Sequence, residues 1–441
     1  MLANPEIDKA IGQSARPMNI RETAGLIGPL RELLDVASRI NTAKPEKYWY
    51  PLSMATYGLE EILEAIDSLC SFRTSMWEKT AAFETAFSNY LGCREAVMVN
   101  SGSSADLLLA FSLINPARPL LAPGDEVLVP AVTWPTQIWS VLMAGLRPVV
   151  VDVDPDTLNI DISRAADVIT DRTRAIFLVH LMGNPCDMDA VWDLSRANDL
   201  LVLEDACEAL GATYKNKKVG ALGYGGSFSF FFSHHMTTME GGMLVCQDAE
   251  LADHFRALRA HGWIRDQHSQ ATRTIPSSCQ VDARYSFINW GFNVRPTDVQ
   301  AGFGLRQLER LPIFNRIRER FATCFSEFLS GWHGWLRFPA VNPAARPCWL
   351  GIPLMVSKDA PFGRDQIVDY LERNGVETRP IVTGSIAHQP VAELFKDIIR
   401  TPLPGADDVH HRGFYIGLSP IQTDESMNRL EETFGRFLER F

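Results

Sequence analysis

This sequence of 441 residues lacks any paired-cysteine motif. Its eight cysteines (Cys70, Cys93, Cys186, Cys207, Cys246, Cys279, Cys324 and Cys348) stand singly, with neither Cys-x-Cys nor Cys-x-x-Cys spacing. Zinc sites and iron–sulfur clusters are built from closely spaced thiolates, so neither is expected. Small buried thiols in a reducing compartment are the expectation instead. No apolar run is long enough to cross a bilayer, and Met1–Asp8 lacks the basic stretch and apolar segment of a secretory signal. A membrane is therefore not an expected partner, and the cytoplasm is the expected location. Positive charge is also scarce: 42 Lys and Arg against 53 Asp and Glu leave a formal net charge of -11. That balance speaks against nucleic acid as the main partner. It leaves a phosphorylated small ligand open, since such a ligand needs only a local nest of donors. No Gly-x-Gly-x-x-Gly fingerprint opens a strand–helix unit, and no internal repeat is present.

What is present is the composition of a globular chain, 46% apolar and 22% charged, with enough length for two or three domains. Residues 1–50 read as an N-terminal extension with a helix around Ile27–Ile40. Residues 51–305 alternate short apolar runs with helical patterns. Strands are expected at Ala96–Val99, Glu126–Val129, Pro148–Val153, Ala175–His180 and Leu200–Glu204, with helices between them such as Met188–Asn198. Alternation of this kind predicts an α/β domain with a mostly parallel sheet. After a helix around Asp298–Leu311 the pattern changes. Residues 306–441, with apolar alternation at Cys348–Met355 and helices near Gly363–Asn374 and Asp424–Phe441, read as a smaller α+β domain.

Three segments carry candidate chemistry. Asn100–Asp106 follows a strand and opens a helix, whose free amides and positive dipole end suit a phosphate; it also reads as a plain cap. Val129–Pro135 places Trp134 just past a strand's C-terminal end, where open parallel sheets bind ligands. Trp134 can stack on a flat heterocycle, or be a core or interface tryptophan. Leu200–Gly211 ends a strand on Glu204, Asp205 and Glu208. A carboxylate there can pair with a protonated ring nitrogen, or serve as a cap or a solvated charge.

Together with Ser227–Gly242, Gly291–Gln300 and Gly302–Leu308, these segments occur in the order and spacing of a known family. From about residue 50 to its end the chain resembles the DegT/DnrJ/EryC1/StrS nucleotide-sugar aminotransferases, which have the fold-type-I (aspartate aminotransferase-like) architecture and use pyridoxal phosphate (PLP). Where that family's lysine loop carries its lysine, this chain has His234, followed by His235 and Thr237–Gly242. An imidazole forms no imine with the cofactor's aldehyde. It moves protons near neutral pH instead. With Arg259–Arg265 and Glu377–Gly384, the histidine makes the chain similar to the His-for-Lys branch of GDP-4-keto-6-deoxy-D-mannose 3-dehydratases. A second histidine-bearing branch, the CDP-hexose 3-dehydrases, holds a [2Fe–2S] cluster through Cys-x-Cys after this loop. Residues 266–279 here contain only Cys279, so no iron–sulfur cluster is expected.

The resemblance implies roles position by position. Gly102, Ser103 and Ser229 hold the cofactor phosphate, reached by Asn293 from a neighbouring subunit, so a homodimer with shared active sites is implied. Trp134 stacks on the ring, Asp205 binds its nitrogen, and Glu208 lies near its 3-hydroxyl. Arg265 and Arg295 contact an anion, either glutamate's carboxylate or the sugar's diphosphate. The cofactor is bound non-covalently as PLP or pyridoxamine phosphate (PMP). His234 is the catalytic acid–base of a C3 dehydratase acting on a nucleotide-linked 4-keto-6-deoxyhexose, with L-glutamate regenerating PMP and ammonia released. His235 reads as structural. A sugar aminotransferase with non-covalent PLP remains open, as does a catalytically silent relative that binds a sugar or cofactor. Which nucleotide and which hexose are bound is not legible.

Overall fold

The computed structural model describes residues 28–36, 47–268 and 281–441. Most of residues 1–46, with their expected role as an extension, and Cys279 lie outside the described residues. Within the expected N-terminal helix, 28–36 are helical.

Among the described residues the large sheet has seven strands: β1 (Glu95–Val99), β2 (Glu126–Pro130), β3 (Arg147–Val151), β4 (Thr173–Val179), β5 (Leu201–Asp205), β6 (Gly225–Ser229) and β7 (Gly242–Cys246). Their order is β1-β7-β6-β5-β4-β2-β3. Pairing is parallel from β6 through β3, whereas β7 runs antiparallel to both β6 and β1. Every residue of β2 is buried, as is all of β3 after Arg147. That is why these strands read as unbroken apolar runs: helices cover both faces of a parallel sheet. One face packs on the helix Gly102–Leu113 through Val129, Phe177, Leu203 and Leu109. The other packs on Phe83, Phe87 and Met188.

On this second face the aromatic rings form an edge-to-face cluster. Phe87 meets Phe228 at 5.2 Å and Phe230 at 5.4 Å, between ring centroids. The two phenylalanines flank Ser229, so the cluster fixes the strand end that presents the serine. Truncating the fully buried Phe87 to Ala is expected to destabilise the protein by about 3–5 kcal/mol. The check is the thermal unfolding midpoint; an unchanged midpoint would mean that this cluster is not what anchors β6.

The helix expected at Asp298–Leu311 continues to Ser330, through Pro312. A proline in a helix removes one hydrogen bond and ordinarily ends the helix. Here packing on both sides of it holds the helix: Leu308 and Leu311 lie in the core beneath the sheet, and Phe321, Phe325 and Leu329 in a separate C-terminal core. The division expected at 305/306 thus falls inside one continuous helix. The C-terminal core also contains Tyr50, which pairs with Val376. Its antiparallel sheet orders β8 (Leu336–Arg337), β9 (Gly351–Val356), β11 (Gly413–Gly417) and β10 (Thr378–Arg379). After β10 the chain returns to the large sheet. Ser385 bridges Val132, the Ile386 amide donates to the Ala131 carbonyl at 2.9 Å, and the Thr383 hydroxyl donates to the Thr133 carbonyl at 2.9 Å. Those bonds set residues 379–386 across the ends of the parallel strands.

Candidate active site

The strand ends, the start of the helix Gly102–Leu113 and residues 379–382 enclose a cavity of about 510 Å³. Gly102, Ser103, Trp134, Asp205, Glu208, Ser229 and His234 all line it, although they come from four separate stretches of chain.

One end suits a phosphate. Ser101 caps the helix, its Oγ accepting the Ser104 amide at 3.1 Å, so the first-turn amides of Gly102 and Ser103 begin at the cavity wall. A Cβ on Gly102 would lie 2.5 Å from the Cβ of Ser229. Only glycine lets the helix start approach that serine so closely. Ser103 Oγ lies 3.1 Å from Thr136 Oγ1, adding a second hydroxyl to the rim.

The floor is acidic. Asp205, at the end of β5, accepts the Cys207 amide at 2.8 Å and Gln137 Nε2 at 3.2 Å. Thr133 Oγ1 donates to Gln137 Oε1 at 2.8 Å, which turns the amide group of Gln137 toward Asp205. Burial lifts the Asp205 carboxyl above its ordinary range, while these donors hold it down. Glu208 accepts the Met182 amide at 2.7 Å, and burial raises it to about 7. Glu204, by contrast, points away from the cavity. It accepts the amides of Gly220, Leu222 and Gly223 and pairs with His180 Nε2 at 3.1 Å. Trp134 stands over the cavity with 57% of its surface exposed, available for stacking.

His234 lines the cavity half-buried. Its Nδ1 is buried without a hydrogen-bond partner. Burial, with the nearby Arg318 charge adding to it, lowers the imidazole to about 4. The ring is therefore neutral at neutral pH and able to accept a proton. His235 is fully buried and holds the Cys348 carbonyl through Nε2 at 2.9 Å, a packing position outside the cavity.

Asn293, Arg265 and Arg295 do not line the cavity of this single chain. Arg295 donates to Asn293 at 3.0 Å, and the adjacent Val294 carbonyl accepts the Asn100 amide at 3.0 Å, so the backbone between the two runs beside Asn100 of its own chain. Arg265 pairs with Asp266 at 3.0 Å and stacks on Trp263 at 4.0 Å. The fixed cation among the cavity's lining residues is Arg379, held by the Thr378 carbonyl and Glu377 at 2.8 Å each. It belongs to a stretch singled out in the sequence, but no local pattern aims it. The sequence reading also passed over Asp106, Gln137 and Cys207. Asp106 had a usable signal: it lies four residues after Gly102, on the same helix face. The seven described cysteines are free thiols; Cys186, Cys246 and Cys348 are buried, and Cys324 is exposed. Among the described residues no helix is long and apolar enough to cross a membrane.

Helix-start amides and hydroxyls at one end, a stacking indole and a buried carboxylate fit a phosphorylated, basic aromatic ring. Comparison with known proteins agrees. Residues 57–434 match the model of the DegT/DnrJ/EryC1/StrS aminotransferase family. The chain is 35% identical over 385 residues to the GDP-4-keto-6-deoxy-D-mannose 3-dehydratase of Escherichia coli O55:H7, covering 87% of this chain and 98% of that protein. It is 34% identical over 371 residues to the GDP-perosamine synthase of Caulobacter vibrioides, covering 84% of this chain and 94% of the relative. A crystal structure of GDP-4-keto-6-deoxymannose-3-dehydratase with a trapped PLP-glutamate geminal diamine superposes with a TM-score of 0.82 at 34% identity, over 87% of this chain and 99% of that one. The architecture is that of fold-type-I PLP-dependent enzymes, and the cavity residues fit PLP. The chain belongs to the DegT/DnrJ/EryC1/StrS aminotransferase family.

Proposed function

We propose that this protein is a PMP-dependent dehydratase that removes the C3 hydroxyl of a nucleotide-linked 4-keto-6-deoxyhexose, with L-glutamate as amino donor and release of ammonia. The observation that carries the proposal is His234: a neutral, half-buried imidazole lines the cavity where the family's lysine would stand. The resemblance to the E. coli dehydratase supports the same reading.

When bound, the cofactor supplies an amine that condenses with the C4 ketone and a ring that accepts electrons. The protein's groups do the rest. Ser229, Ser103 and the helix-start amides hold the phosphate, and Trp134 covers the ring. Asp205 would hold the ring nitrogen protonated, and Glu208 would be available to the ring's hydroxyl. His234 takes a proton on its imidazole and returns it to the departing C3 hydroxyl, serving as base and then acid. Arg379 faces the substrate's anionic portion. Asn293, and with it Arg295, acts from the neighbouring subunit of a homodimer in the cytoplasm.

The test is the mass of the sugar product after incubation with PLP, L-glutamate and GDP-4-keto-6-deoxymannose. The expected product is lighter by one oxygen, forms only with glutamate, and is accompanied by ammonium. A product that retains nitrogen would reject the dehydratase in favour of a sugar aminotransferase with non-covalent PLP, a second reading favoured by the resemblance to GDP-perosamine synthase.

A further inference from the structure

The cavity floor holds one acidic group more than the cofactor needs. Asp106 lies one turn along the helix Gly102–Leu113, is 3% exposed, and lines the cavity beside Asp205. A carboxylate oxygen of Asp106, one of Asp205 and the Cys207 Sγ all lie within 4.8 Å of one another. We propose that Asp106 is a neutral carboxylic acid and a positioning residue for Asp205: the two buried carboxyls share one negative charge, matched to the one positive charge of a protonated ring nitrogen.

Two carboxylates buried so close together cannot both ionise unless a cation lies between them. Among the described residues, the groups packed against the pair offer none, and Arg379, which also lines the cavity, is paired with Glu377. Cys207, on the turn after β5, stays a thiol, because burial and the two neighbouring carboxyls raise it well above its ordinary value. Glu208, from the same turn, is itself acidic. Against the lowering effect of burial, His180, at the end of β4, is pushed up to about 10 by Cys186 and the Glu204 charge. Its Nδ1 nevertheless accepts the Cys186 amide at 3.1 Å and so carries no proton; the ring donates Nε2 to Glu204 and stays neutral. From β6 comes only the Ser227 hydroxyl, which donates to Asp106 at 2.5 Å.

Hydrogen bonding decides which carboxyl keeps the proton. Asp205 accepts two N–H donors, an arrangement that favours its ionised form. Asp106 accepts one hydroxyl, and burial together with the Asp205 charge lifts it well above its ordinary value. The proton therefore stays on Asp106. A second anion here would leave an uncompensated buried charge beneath the ring.

The inference rests on the proposed role of Asp205 but not on dehydration, so it is read without any sugar present. Infrared spectra of the protein at about pH 8, above the Glu208 value of about 7, should show a deuterium-sensitive carboxylic-acid carbonyl band. The band should shift on carbon-13 labelling of aspartate, vanish in Asp106→Asn and persist in Glu208→Gln. The labelled wild type suffices if a variant fails to fold. Absence of an aspartate acid band, or its survival in Asp106→Asn, overturns the proposal. Asparagine mimics the neutral acid, so Asp106→Asn should bind PMP about tenfold tighter than Asp106→Ala, by quenching of tryptophan fluorescence. Equal weakening in both would mean that an ionised Asp106 is required, which also overturns it.

Discussion

Replacing His234 with Asn is expected to slow C3 deoxygenation by about 10²–10⁴-fold, the range typical of losing a positioned acid–base group. Cofactor binding should change little, since the phosphate, stacking and ring-nitrogen contacts are made by other residues lining the cavity. The comparison needs both readouts: turnover of sugar, and PMP affinity by fluorescence. Full deoxygenation by the variant would remove His234 from the mechanism. Loss of affinity and turnover in equal measure would make it a packing residue. The pH profile sharpens the test. A base must be neutral to act, and burial with the Arg318 charge puts His234 at about 4. Its contribution to kcat/KM is present above that value and lost as pH falls through it, well below the ~6.5 of a free imidazole. A limb near 7 belongs to Glu208, raised to about 7 by burial, and should disappear in Glu208→Gln.

Asp205→Ala should be nearly as damaging, by a different route. A hydrogen bond to a charged group is worth ~1.5–3 kcal/mol, so PMP affinity should fall about 10- to 150-fold. Turnover at saturating PMP should fall further, because a ring that loses its nitrogen's proton is a poorer electron sink. Asp205→Asn separates the two effects: it keeps the shape and one accepting oxygen, for the Cys207 amide, but loses the charge and the second acceptor that Gln137 uses. If Asp205→Asn turned over at the wild-type rate once loaded with PMP, the carboxylate would be a binding group alone.

Much of this site was legible because parallel sheets present their chemistry at predictable places. Trp134 and Asp205 each follow or end an apolar strand, and Gly102 begins a helix; all three meet at one cavity. The strands were readable because burial on both faces demands unbroken runs of branched residues, as in β2 and β3. The long helix was underestimated because Pro312 is a local stop signal, whereas Phe321, Phe325 and Leu329 carry the helix onward through contacts far away in sequence. Arg379 was missed for a similar reason. What brings it to the cavity is the bridge of Ser385 to Val132 and the bonds of Thr383 and Ile386 to the large domain, none of which leaves a pattern in the chain.

The sequence by itself determined the family, the parallel-sheet architecture and the presence of a histidine in the lysine loop, because each depends on residue type and local spacing. Only the tertiary structure decided the protonation states. That His234 is neutral near pH 7, and that Asp106 stands against Asp205, depend on burial and on charges from remote segments such as Arg318. Desolvation and Coulomb interactions act through space, and only the fold sets those distances.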